Sequence, residues 1–153
     1  MQTFSRRTGN GTGTVILIAA VLALVVIAFV RSRSSGDAGH TTLVGFDAAV
    51  PIETALANGK QAGKPTLLFF TANWCPPCKQ MKKEVLPQEA IANTIRDQFV
   101  GVYVDIDNRA ADAQSYGITG VPTFIIMDKD GKEIARTSGG MPASEFQQFL
   151  TAR

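Results

Sequence analysis

The chain has 153 residues, with 15 Lys and Arg, 13 Asp and Glu and one His, for a formal net charge of +2. Arg6, Arg7, Arg31 and Arg33 bracket one apolar stretch, and from His40 onward eleven Lys and Arg face twelve Asp and Glu. That near-neutral remainder argues against a nucleic-acid surface, and two cysteines with one histidine argue against a four-ligand structural zinc site.

Residues 1–12 read as a short polar leader. Val15 to Val30 is apolar without interruption, and with Gly13 and Thr14 the run covers 18 positions. As a helix it reaches about 27 Å, enough to cross a hydrocarbon core of roughly 30 Å with arginines at both interfaces. The reading is a membrane-spanning anchor at 13–30. A cleaved secretory signal is the competing reading, but no Ala-x-Ala follows, Gly36-Asp37-Ala38 comes late, and Arg31 and Arg33 sit where a cleavage region is neutral. Arginines tie at two on each flank, so orientation rests on the leader staying in the cytoplasm, which puts the C-terminal part outside. Residues 31–43, rich in Ser, Gly and Thr, read as a flexible linker. Residues 44–153 then suffice for one domain with its own core.

Within that domain Ile52, Ala55 and Leu56 recur at i, i+3 and i+4, and Asn58-Gly59 closes the pattern, so a helix is predicted from near Asp47 or Pro51 to about Ala57. Gly63-Lys64-Pro65 leads into an apolar strand, Thr66 to Thr71. A helix begins at the cysteines, where Pro76 and Pro77 fit a first turn that needs no N–H donors, and Pro87 interrupts it. Ala90 to Asp97 reads as helix, Phe99 to Asp105 as strand and Ala110 to Tyr116 as one or two helical turns. Val121-Pro122-Thr123 opens a strand over Phe124 to Met127, Asp128 to Gly131 turns into a partner at Glu133 to Ser138, and Ser144 to Ala152 closes as a helix. The pattern predicts an α/β domain, a central mixed sheet flanked by helices.

Trp74-Cys75-Pro76-Pro77-Cys78-Lys79 holds both cysteines. Two thiols three positions apart at a helix start can close into a small disulfide and reopen, which suits thiol-disulfide exchange. A structural disulfide enclosing only Pro76 and Pro77 would constrain the unfolded chain very little. Copper(I) can be held by two thiolates alone, so a copper-binding or metal-maturation module stays open as a reading from another class.

The cysteine motif, followed by Tyr116-Gly117-Ile118-Thr119-Gly120-Val121-Pro122-Thr123-Phe124, resembles the thioredoxin superfamily. Gly59 to Pro65 and Gly140 to Phe146 are similar to the C-terminal thioredoxin-like domain of the thiol:disulfide interchange protein DsbD. The resemblance covers residues 44 to 152 and implies a thioredoxin-like fold acting on protein thiols and disulfides, without cofactor or metal, fed by an upstream electron donor the sequence does not identify. Together with the apolar run at 13–30 it gives an expected location in the bacterial inner membrane, single-pass, with a periplasmic C-terminal domain, a secreted form after signal cleavage being the less favoured alternative. Cys75 is the expected nucleophile, at an exposed helix tip where the helix dipole and the Cys78 N–H favour a thiolate, and Cys78 the resolving thiol. Pro76 and Pro77 stiffen the loop and remove two donors from the sulfur; Trp74 is expected as a contact surface and Lys79 as a flanking charge. Pro122 is expected cis, leaving the Val121 backbone to pair with an extended substrate segment. No histidine lies between the cysteines, which favours a reductase over an oxidase or isomerase using the same site.

Two positions depart from the family. Phe69 stands six residues before Cys75, where thioredoxins commonly hold a buried acid, and Lys82 stands where the DsbD domain carries an acidic residue. With Lys79 and Lys83 nearby, the loss of negative charge favours a Cys75 thiolate; the alternative is that these lysines are a solvated helix face, with Glu84 open as a replacement acid.

Overall fold

Thr66 to Thr71 offers no charge to water on either side, and it forms the central strand of a five-stranded sheet. The structure, a computed structural model, describes residues 43–151. The elements are β1 (Phe46–Asp47), α1 (Ile52–Ala62), β2 (Thr66–Thr71), α2 (Pro76–Gln80) running into a π-helical turn (Met81–Val85), α3 (Glu89–Gln98), β3 (Val100–Asp105), α4 (Ala110–Ser115), β4 (Thr123–Met127), β5 (Glu133–Ser138) and α5 (Ala143–Thr151). The sheet order is β1-β3-β2-β4-β5, with β1 and β2 parallel to β3 and β4 antiparallel to β2 and β5. This is the thioredoxin-like α/β arrangement with a mixed central sheet that the sequence predicts. Among the described residues no helix is long and apolar enough to cross a membrane. The expected leader, the anchor at 13–30 and all but the last residue of the linker lie outside the described residues.

β2 is buried on both faces because helices cover both, which explains its continuous apolar run. Leu67 and Phe69 enter one core with Phe124, Met81, Ile95 and Phe146; Leu68 and Phe70 enter the other with Ile52, Val102 and Ile125. Burying each such side chain contributes about 1.5–3 kcal/mol. Phe69 stacks on Phe124 with ring centroids 4.4 Å apart and planes 6° from parallel, and a pair of this kind adds about 0.5–1.5 kcal/mol beyond its area.

Apart from one-residue shifts at element ends, the structure differs from the sequence reading in three places. α1 does not stop near Ala57. Gly59 is a buried position inside it, and the helix runs to Ala62, where Gly63 takes φ 67° and the Lys64 N–H returns to the Gly59 carbonyl at 2.9 Å. Gly59 is there for space, since a Cβ would sit 2.7 Å from Thr66 Oγ1 and 2.8 Å from the Lys64 carbonyl oxygen. β1 was not foreseen: two residues carry no alternation, and the strand exists because Gly101, its partner on β3, has no Cβ to collide with the Gly45 carbonyl. The helix after the cysteines ends before Pro87 as expected, but in a π turn, with the Leu86 N–H on the Met81 carbonyl at 2.9 Å.

The β4–β5 connection follows its composition. The Asp128 side chain accepts from the Asp130 and Lys132 N–H groups, both at 2.9 Å, and Gly131 supplies the positive φ of 80°.

Gly59→Ala tests the packing account. Alanine is the better helix former, yet the substitution is expected to destabilise by about 1–3 kcal/mol in urea unfolding, because the extra carbon overpacks the α1–β2 contact. A stabilised variant would show that the α1–β2 contact accommodates the extra carbon and that Gly59 is not there for space.

Candidate functional site

Cys75 and Cys78 form a disulfide with Cα atoms 5.3 Å apart, at the C-terminal end of β2 where the chain turns into α2. Cys75 is the N-cap residue of α2. Pro76 and Pro77 occupy the first two helical positions and carry no N–H, so the first available amide is that of Cys78, which donates to Cys75 Sγ at 3.2 Å. The helix start therefore directs one donor at one sulfur.

The expectation of an exposed Cys75 is not met. Cys75 is 2% exposed and Cys78 0%, packed with Ala72 against Ile106 and Val121. Cys75 Sγ lies 3.4 Å from the Val121 carbonyl oxygen, so the wall that covers the sulfur is the segment expected to receive substrate. What separates the two sulfurs is the Cys78 amide rather than access.

The Val121–Pro122 bond is cis, as expected, with Pro122 buried and Val121 half-buried. The Pro122 carbonyl accepts from the Gly139 N–H at 2.8 Å, and the Met141 N–H reaches Met81 Sδ at 3.5 Å. These bonds bring the 139–141 segment against the start of α2, where a Cβ on Gly140 would stand 3.1 Å from Pro77 Cβ. Trp74 is 63% exposed, so it is not a core residue; its indole N–H donates to Asp107 Oδ1 at 3.1 Å. Asn73 Nδ2 donates to Asp105 Oδ2 at 3.3 Å, and the Asp107 N–H to Asp105 Oδ1 at 3.0 Å. The loop before the cysteines is thus tied to the loop after β3. Asn73, Asp105 and Asp107 carry no spacing signal in the sequence, and only the strand order brings them to the site; Gly140 and Met141 belong to the stretch that carries the resemblance.

The lysines divide. Lys79 and Lys83 are exposed, which matches the solvated-face reading for both. Lys82 is half-buried, its Nζ donating to Tyr103 Oη at 3.3 Å and standing 5.4 Å from the ring centroid. Tyr103 in turn meets Phe69 edge-on, with centroids 5.7 Å apart. At the two positions where the resemblance leads to an expected acid, this chain has Phe69 in an aromatic contact with Tyr103 and Lys82 at the edge of that pair. Glu84 does not replace the acid: it is exposed and accepts from Gln80 Nε2 at 3.1 Å.

Among the described residues no group of three or more His, Cys, Asp or Glu is arranged to hold a metal. A cavity of about 250 Å³ lies away from the cysteines, lined by Val50, Pro51, Glu53, Arg109 and Asp112. Arg109 is already held there, by Asp112 and the Val50 carbonyl. Burial, and then the carboxylates of Glu53 and Asp112, push the Tyr116 phenol upward.

The thioredoxin-like domain family model matches residues 52–153. A thiol:disulfide interchange protein TxlA homolog of Synechocystis is 30% identical over 138 residues, covering 87% of this chain and 73% of that protein. DsbD of Vibrio vulnificus is 29% identical over 155 aligned positions, covering 93% of this chain but only 26% of DsbD. Among solved structures, a thioredoxin from Thermus thermophilus superposes with a TM-score of 0.63 at 28% identity, covering 72% of this chain and 87% of that one. The family match spans β2 to β5, both segments that meet at the disulfide, and the flanking helices, and on that ground the chain belongs to the thioredoxin-like family.

Proposed function

We propose that this chain, a thiol-disulfide oxidoreductase of the thioredoxin type, reduces disulfides of extracytoplasmic proteins from a membrane tether. The observation that carries the reading is the disulfide at the N-cap of α2, with one amide aimed at Cys75 Sγ and the Val121 peptide beside it. Reduced, Cys75 is the nucleophile. Its thiolate attacks a partner disulfide, the partner's first sulfur leaves with the electron pair and takes a proton, and a mixed disulfide remains. Cys78 then attacks Cys75, releasing the reduced partner and restoring the Cys75–Cys78 disulfide. Val121 and Pro122 form the docking edge, and Trp74 with Pro76 the exposed surface around it; Pro77 braces the 139–141 segment, and Lys79 is a solvated flanking charge.

The direction, reductase rather than oxidase or isomerase, is supported by Pro76 and Pro77 between the cysteines, with no histidine to stabilise the thiolate strongly. The tether is supported by the apolar run at 13–30 and by likeness to interchange proteins named TxlA and DsbD.

Cysteine variants test the assignment. With insulin as the disulfide substrate and a dithiol as donor, Cys75→Ser is expected to abolish turnover, whereas Cys78→Ser accumulates a mixed disulfide through Cys75. The backbone N–H at position 78 survives in that variant, so alkylation of Cys75 by iodoacetamide should show a midpoint below the ordinary thiol value of about 8.5. A trap through Cys78 in Cys75→Ser, or a midpoint at or above that value, contradicts the roles. Stoichiometric copper(I) binding without exchange activity would favour the metal-module reading instead.

Topology is tested in intact cells after mild reduction. A membrane-impermeant maleimide is expected to label Cys75, and the chain to stay with membranes through alkaline carbonate extraction. Labelling only after lysis would place the domain on the other side.

A further inference from the structure

Thr123 opens β4 on the face of that strand that continues through Ile125 and Met127, and it pairs with Phe70 across the ladder to β2. A valine would suit a buried strand position there as well, with no hydroxyl to satisfy. Thr123 is 2% exposed, so its hydroxyl depends on partners within the protein. Oγ1 lies 2.8 Å from the Gly120 carbonyl oxygen and 2.8 Å from the hydroxyl of Ser138, the residue directly opposite on β5. A carbonyl only accepts, so the single Thr123 proton goes to Gly120 and Ser138 is the donor to Thr123. The relay runs one way, from Ser138 through Thr123 to Gly120.

Gly120 and Pro122 flank Val121, whose carbonyl oxygen stands 3.4 Å from Cys75 Sγ. The Pro122 carbonyl is fixed by the Gly139 N–H and the Gly120 carbonyl by Thr123, so the backbone on each side of Val121 is anchored to the end of β5. Farther back, Arg136 of the same strand donates to the Tyr116 carbonyl at 2.9 Å. Gly120 itself sits in open space and has no side chain to pack, so its backbone keeps its course through the carbonyl bond.

We infer that Thr123 is a specificity-determining residue: its hydroxyl, oriented by Ser138, holds the Val121 peptide in the course with which an extended segment of a protein substrate pairs. The inference rests on the reading of Val121 and Pro122 as the docking edge. Thr123 acts through Gly120 rather than on the sulfur, which makes it a positioning residue. Without the hydroxyl, the edge holds its pairing course for a smaller fraction of the time, and the apparent affinity falls with that fraction. The chemistry at Cys75 is unaffected once the substrate strand is bound, because the pairing then holds Val121 in place.

The test compares a protein disulfide with a small one in the full chain. With insulin as substrate and a dithiol donor in excess, Thr123→Val is expected to raise KM about fivefold, the loss of one neutral hydrogen bond, with kcat unchanged. Thr123→Ser keeps the hydroxyl and is expected to stay near the parent. Ser138→Ala is expected to raise KM less than Thr123→Val does, because water can replace the donor at that exposed position. Ellman's reagent needs no strand pairing, so the reduced Val variant is expected to react with it at least as fast as the parent, which also shows that its site is folded. A parent-like KM in Thr123→Val, an equal rise in Thr123→Ser, a larger rise in Ser138→Ala, or a matching loss of rate with Ellman's reagent would overturn the inference. Failure of the parent protein to reduce insulin at all would overturn the proposed function instead.

Discussion

The antiparallel register of β2 against β4 is the constraint on which the rest of the site depends. It aligns Phe69 with Phe124 and Phe70 with Thr123, so that the next residues of each strand, Thr71 and Pro122, run off the same end of the sheet together. Cys75 and Val121 are separated by 46 positions in the chain and meet only through this ladder. The ladder is held by burial on both faces and by the Phe69–Phe124 stack, interactions without polar specificity of their own. A slip of one residue would reverse every side chain of β4 and carry Val121 away from the sulfur. The 139–141 segment depends on it in turn, since it is hung on the Pro122 carbonyl and on Met81.

The electrostatics of the disulfide are local. One amide faces Cys75 Sγ, two prolines remove the donors before it, and the side chains packed on the cysteines, Ala72, Ile106 and Val121, are apolar. Lys82 is a basic side chain drawn partly out of solvent, where its hydrogen bond to Tyr103 holds the ammonium beside the phenol ring. A carboxylate in the same place would oppose thiolate formation, whereas this arrangement does not. Lys79 and Lys83 add only a screened field from solvent.

Much of this was legible in the sequence because it is carried by residues with unusual composition or spacing. β2 and β5 fall on the bounds their patterns predict, and the cysteine motif and Val121-Pro122-Thr123 announce the two halves of the site. The failures have definite causes. Gly59 reads as a helix stop because glycine usually marks one, but here it answers a clash with Thr66 and Lys64, partners whose positions only the fold determines. β1 is too short to show a period. The burial of Cys75 was missed because a helix N-terminus is normally open, and the Val121 carbonyl that covers it comes from a distant strand. Asp107 against Trp74 is a consequence of strand order, which no local pattern encodes.

The central claim is that Cys75 and Cys78 are an exchange pair poised to deliver electrons. Equilibrating the full chain with glutathione or dithiothreitol buffers and reading the Cys75–Cys78 disulfide gives its reduction potential directly, with about 30 mV per tenfold change in the exchange equilibrium. The account predicts a value near the thioredoxin level, roughly −270 mV. A value near −120 mV, the level of a strong oxidant, would contradict it.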